Sequence, residues 1–81
     1  MQIDHLNPVL EKKVKKLSLG EKFLKSKRLF EGNYRHPSLH TELLEPKQFG
    51  IYSFRIDKRY RAQFTVVDGR ARILDISLHY Q

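Results

Sequence analysis

Apolar and polar positions follow two different periods along this chain, and the change from one to the other divides it in half. In the first half Leu10, Val14 and Leu17 recur at i, i+4 and i+7, which places them in one buried stripe along a helix. Asn7 ahead of Pro8 supplies the start. The Asn side chain can cap a free N–H, and proline at the first helical position lacks only an N–H that would have no partner anyway. Ser18 with Glu21 three residues later has capping-box spacing for a second helix, which carries Phe23, Leu24 and Phe30 and stops at Gly32-Asn33. Two short helices with one apolar side form an αα-hairpin, and Met1 to His5 can add a short strand before it.

From Leu39 the period becomes two. Leu39, Thr41 and Leu43 alternate with His40, Glu42 and Leu44, and then Tyr52, Phe54 and Ile56 alternate with Ser53, Arg55 and Asp57. A third strand sets Tyr60, Ala62, Phe64 and Val66 against Arg61, Gln63, Thr65 and Val67. The last sets Leu74, Ile76, Leu78 and Tyr80 against Ile73, Asp75, Ser77 and His79. Pro46 and Asp68-Gly69 punctuate them as turns. The expected fold is α+β: a single domain over residues 1–81, with the helical hairpin packed on one face of an antiparallel sheet of about four strands.

Parity constrains the hairpins. Keeping Phe54 and Ala62 on one face requires an odd loop, Asp57 to Arg59, which sets Arg55 directly opposite Arg61. The same reasoning predicts three loop residues at Asp68 to Arg70, as a type I turn with a bulge, and places Arg61 opposite Ser77. The face away from the helices then collects His40, Glu42, Ser53, Arg55, Arg61, Gln63, Asp75, Ser77 and His79. Tyr52 and Tyr60 share the apolar register and are read as core aromatics.

Composition sharpens this picture. Sixteen Lys and Arg against nine Asp and Glu leave a charge of +7 on 81 residues, an excess that favours polyanions and acidic protein partners. Without cysteine there is no disulfide framework and no thiolate metal site. His5, His36, His40 and His79 lack metal-ligand spacing, so neither a metal nor another cofactor is expected. No apolar run approaches the roughly 20 residues that span a bilayer, and Asp4, His5 and Asn7 break any signal-peptide core, so the reading is a cytoplasmic protein without a membrane partner.

The open face has the residue types for metal-free RNA cleavage. That chemistry needs a base for the 2′-hydroxyl proton, cations for the charge growing on phosphorus, and an acid for the leaving 5′-oxygen. Arg55 and Arg61 repel each other across a strand pair unless an anion lies between them. His79 titrates near neutral pH, and Glu42 and His40 offer a second proton-transfer group.

The ordered set Gly50-Ile51-Tyr52-Ser53-Phe54-Arg55-Ile56, Tyr60-Arg61-Ala62-Gln63-Phe64 and Ile73-Leu74-Asp75-Ile76-Ser77-Leu78-His79-Tyr80, preceded by His36-Pro37-Ser38-Leu39, resembles the RelE/ParE superfamily of toxin-antitoxin toxins. Within it the chain is most similar to the RelE, YoeB and YafQ type of mRNA interferase over residues 36–80. The resemblance implies two helices on a curved antiparallel sheet, with an active site on the helix-free face. It also implies mRNA cleavage in the ribosomal A site without a metal, leaving a 2′,3′-cyclic phosphate, and a cognate antitoxin as protein partner.

Residue by residue, the resemblance gives Arg61 the contact to the scissile phosphate, Arg55 the cation of the preceding strand, and His79 and Tyr80 the C-terminal catalytic pair. Glu42 falls near the second-strand histidine of the YafQ type and is taken as general base ahead of His40, which falls near a YoeB lysine. His40, Lys47, Ser53 and Gln63 are assigned to RNA binding. Pro37 stands where YoeB has its glutamate base, and Ser53 where RelE has a strand lysine. The same superfamily contains non-enzymatic ParE toxins that poison DNA gyrase, so that activity, or a catalytically weakened interferase, is the alternative reading.

Overall fold

The computed structural model describes residues 1–78, and within them the expected α+β layout is present. Helix α1 (Pro8–Lys16) and helix α2 (Gly20–Gly32) precede four strands, β1 (Glu42–Leu43), β2 (Tyr52–Arg55), β3 (Tyr60–Val67) and β4 (Arg70–Leu78). These form one antiparallel sheet in the order β1-β2-β3-β4. Short 3₁₀ turns at Pro37–Leu39 and Lys47–Phe49 flank β1.

Asn7 caps α1 as the sequence predicts, its Oδ1 accepting the Leu10 N–H at 2.8 Å. The predicted cap of α2 does not form. Ser18 instead lies in the turn with φ +55°, and α2 begins after Leu19 with no side-chain cap. Leu19 is buried, and bringing it into the core leaves Ser18 as the residue that reverses the chain.

Phe30 of α2 is fully buried among Phe54 at 4.9 Å and Phe64 at 5.1 Å between ring centroids, the spacing of tilted and edge-on aromatic packing. Ser26 joins the same two layers through a hydrogen bond to the Ile56 carbonyl at 3.1 Å. Tyr52 stacks on Phe64 at 5.4 Å, a core aromatic as its register predicts.

The β2–β3 hairpin has the expected register, with Phe54 opposite Ala62 and Arg55 opposite Arg61. Ile56 N–H bonds to the Tyr60 carbonyl at 3.0 Å, and Asp57 accepts the N–H groups of Arg59 and Tyr60 at 2.8 Å each, closing a three-residue loop.

The β3–β4 hairpin departs from expectation. Val67 pairs with Arg70, so the loop is the two residues Asp68 and Gly69, both with positive φ (+52° and +74°), a type I′ turn. The even loop alone would invert the faces of β4, and a bulge corrects this. Gln63 pairs with Asp75 and Phe64 with Ile73, leaving Leu74 as an extra residue. Ala71, Ile73 and Ile76 therefore fill the core, and the bulged Leu74, expected there, is 43% exposed; Leu78, in its expected register opposite Tyr60, is 43% exposed as well.

The other differences are in short elements. The strand expected from Leu39 to Leu44 shrinks to Glu42–Leu43, because Leu39 is buried at the end of a 3₁₀ turn and His40 follows in a left-handed conformation. The Met1–His5 strand reduces to one bridge, Ile3 beside Ala71 of β4. Among the described residues no helix is long and apolar enough to cross a membrane.

Candidate functional site

On the sheet face opposite the helical layer, backbone pairing builds two cross-strand rows. Glu42, Ser53, Gln63 and Asp75 form one, and Arg55, Arg61 and Ser77 form the other. Between them lies a depression of about 370 Å³ lined by Glu42, Leu44, Ser53, Arg61, Gln63, Ser77 and Leu78.

Arg61 is the centre of this depression. It is only 7% exposed, yet its guanidinium is well partnered. Nε donates to the Ser53 hydroxyl at 3.0 Å, and Nη2 donates to the His40 carbonyl at 2.6 Å. The Glu42 carboxylate stands 3.7 Å from Nη2. Burial pulls the guanidinium's proton affinity below its usual value; Glu42 opposes that shift and Arg55 across the strand pair adds to it. A buried cation held this way has exchanged its hydration shell for fixed protein oxygens.

The partners have different roles. Ser53 is 2% exposed, so the hydroxyl expected to meet RNA faces Arg61 instead. His40 contributes its backbone carbonyl, aimed by a left-handed backbone (φ +46°, ψ +47°) that non-glycine residues seldom adopt. Glu42 has its side chain 57% exposed and is accessible to a ligand.

The other expected site residues divide. Gln63 lines the depression and Arg55 lies directly opposite Arg61 on the neighbouring strand. Lys47 is exposed in the 3₁₀ turn between β1 and β2 and does not line the depression. Asp75 is drawn to α1, where Lys13 Nζ donates to its carboxylate at 3.0 Å, and that bond holds its pKa below the usual value. His79 and Tyr80 lie outside the described residues.

No protein-family model matches this chain, and no curated protein matches it in sequence. Function must then be argued from the site, since a fold of this kind serves more than one activity.

Two lining residues were not among the sequence-based candidates. Leu44 shares the parity of Glu42, so alternation contained its signal. Leu78 keeps its expected pairing with Tyr60, but at the end of the described strand it is 43% exposed and borders the depression. A second depression, of about 530 Å³, is lined by Met1, Tyr34, Leu43, Tyr52 and Val66, among others, with Arg35, His36 and His40. Glu42 borders both. Among the described residues, no three His, Cys, Asp or Glu side chains converge as metal ligands would.

Proposed function

We propose that this protein is a toxin of the RelE/ParE kind, acting as a metal-independent endoribonuclease on mRNA in the ribosomal A site. The observation that carries this reading is the buried, oriented guanidinium of Arg61 beside the exposed carboxylate of Glu42 on the helix-free face. A net charge of +7 suits an RNA substrate, and also an acidic antitoxin segment that would wrap and silence the protein in the cytoplasm.

In the proposed reaction, a phosphodiester enters the depression and its non-bridging oxygens meet Arg61, with Arg55 on the adjacent strand adding positive potential. Glu42 takes the proton of the 2′-hydroxyl as that oxygen attacks phosphorus. The P–O5′ bond breaks, and His79 is assigned the proton that the 5′-oxygen accepts, with Tyr80 beside it in sequence. The products are a 2′,3′-cyclic phosphate and a 5′-hydroxyl, so atoms and charge balance without a metal. Gln63 is assigned a contact with the nucleotide, and His40 and Lys47 are assigned contacts farther along the RNA.

Substituting Arg61→Ala or His79→Ala is expected to abolish growth arrest on induction while leaving the circular dichroism spectrum and solubility unchanged. Mapping mRNA 5′ ends on translating ribosomes after brief induction provides the direct assay. Growth arrest that survives both substitutions sinks the mechanism. Induced DNA damage with intact mRNA would instead identify a gyrase-poisoning toxin on the same fold.

A further inference from the structure

Ser53 occupies a place that chemistry explains poorly if its task is to touch a ligand. It is 2% exposed and its hydroxyl is spent on Arg61 Nε. On the other side of the guanidinium, the His40 carbonyl accepts from Nη2 at 2.6 Å. That carbonyl is delivered by a backbone at φ +46°, a left-handed conformation that a non-glycine residue keeps only where surrounding structure enforces it. Neighbouring contacts supply the enforcement. His36 Nδ1 accepts the Ser38 N–H at 3.2 Å, the Leu39 N–H bonds to the His36 carbonyl at 2.9 Å, and Leu39 is buried.

Arginine carries five N–H donors in one rigid plane. Here Nε and one N–H of Nη2 are directed to Ser53 and His40, and among the described residues Nη1 has no hydrogen-bond acceptor. Two acceptors on different elements, one from β2 and one from the turn before β1, fix both the position of the plane and its rotation. Neither acceptor is ionised, so neither cancels the charge that an incoming anion would meet.

We infer that Ser53 and the His40 carbonyl are a positioning pair that pre-sets the Arg61 guanidinium for a phosphodiester, with Ser53 acting through Arg61 and never on RNA itself. This rests on the proposed RNA substrate, but not on cleavage. It assigns the serine a role distinct from the RNA contact that its alternation implies. An unclamped arginine in the same place would have to lose side-chain freedom on each binding event, whereas the clamped one has lost it on folding.

The test uses the full chain and a short single-stranded RNA made uncleavable by 2′-deoxy substitution. Ser53→Ala is expected to weaken binding of this RNA by about 5–10-fold, the scale of one ordinary hydrogen bond. Ser53→Thr, which keeps the hydroxyl, is expected to restore most of it. In an Arg61→Ala background the Ser53→Ala change is expected to have no further effect, because the serine acts only through the arginine.

Solvent exchange of the Arg61 Nε–H, followed by ¹⁵N NMR, reports the clamp without any ligand. It is expected to be slow in the wild type and in Ser53→Thr, and fast in Ser53→Ala. A urea midpoint for each variant separates these effects from unfolding. Any of three results overturns the inference: wild-type protein that does not bind the RNA, Ser53→Ala with wild-type affinity, or an undiminished Ser53→Ala loss in the Arg61→Ala background. Ribosome-bound mRNA that stays intact while oligonucleotide binding still depends on Ser53 leaves the clamp standing and removes the nuclease reading alone.

Discussion

In the proposed reaction, Glu42 occupies beside Arg61 the place a phosphate would take. In the free protein the carboxylate is 3.7 Å from the guanidinium, so an entering phosphate must compete with it. The Glu42 side chain is 57% exposed, so water can take up the carboxylate as it moves aside. Glu42→Gln therefore separates two effects. RNA binding is expected to hold or strengthen, because a competing negative charge is gone, while single-turnover cleavage falls by about 10²–10⁴ as the base is lost. Cleavage at the wild-type rate would dismiss Glu42 as the base. Much of this site was legible in the alternation of residues 53–63, which sets Ser53, Arg61 and Gln63 on one face. The Arg61–His40 bond was not, since a carbonyl belongs to every residue and leaves no trace in side-chain chemistry.

Helices and strands are tied at their margins by polar bonds that the apolar pattern does not anticipate. Lys13 of α1 reaches Asp75 of β4 at 3.0 Å, and that bond, stronger in effect than the opposing burial, keeps the carboxyl ionised to lower pH than usual. A depressed folded-state pKa gives stability that is complete above the unfolded value, about 3.9, and is lost as pH falls through the lower folded value. Lys13→Met is expected to cost roughly 0.3–1 kcal/mol at pH 7, small because both side chains are partly exposed. The gap between variant and wild type in urea titrations should close once the pH drops below the folded value. A gap independent of pH would show that Lys13 acts through packing. At this scale the β2–β3 hairpin was readable to the residue, since its loop parity and Asp57 leave one register. The short β1 was not, because Leu39 obeys the burial of a 3₁₀ turn rather than the pleat of a strand.

As a whole, the molecule rests on one aromatic cluster beneath a sheet whose other face is devoted to charge. A chain of this length has a total stability of only about 4–12 kcal/mol. Phe30 is fully buried and touches the rings of both central strands, so Phe30→Ala is expected to cost about 3–5 kcal/mol and to lower the melting temperature sharply. A thermal scan showing little change would mean that the two layers cohere by other contacts. Half-chain periods of 3.6 and then 2 made this layering readable from the sequence, while the Leu74 bulge, which no local residue signals, reassigned the apolar positions of the last strand. That extra residue also stands between the Asp68-Gly69 turn and the pairing of Arg61 with Ser77. A reporter fused at the turn is therefore expected to leave that pairing in register. An engineer seeking a handle on this protein would find it there, across the bulge from the Arg61 row.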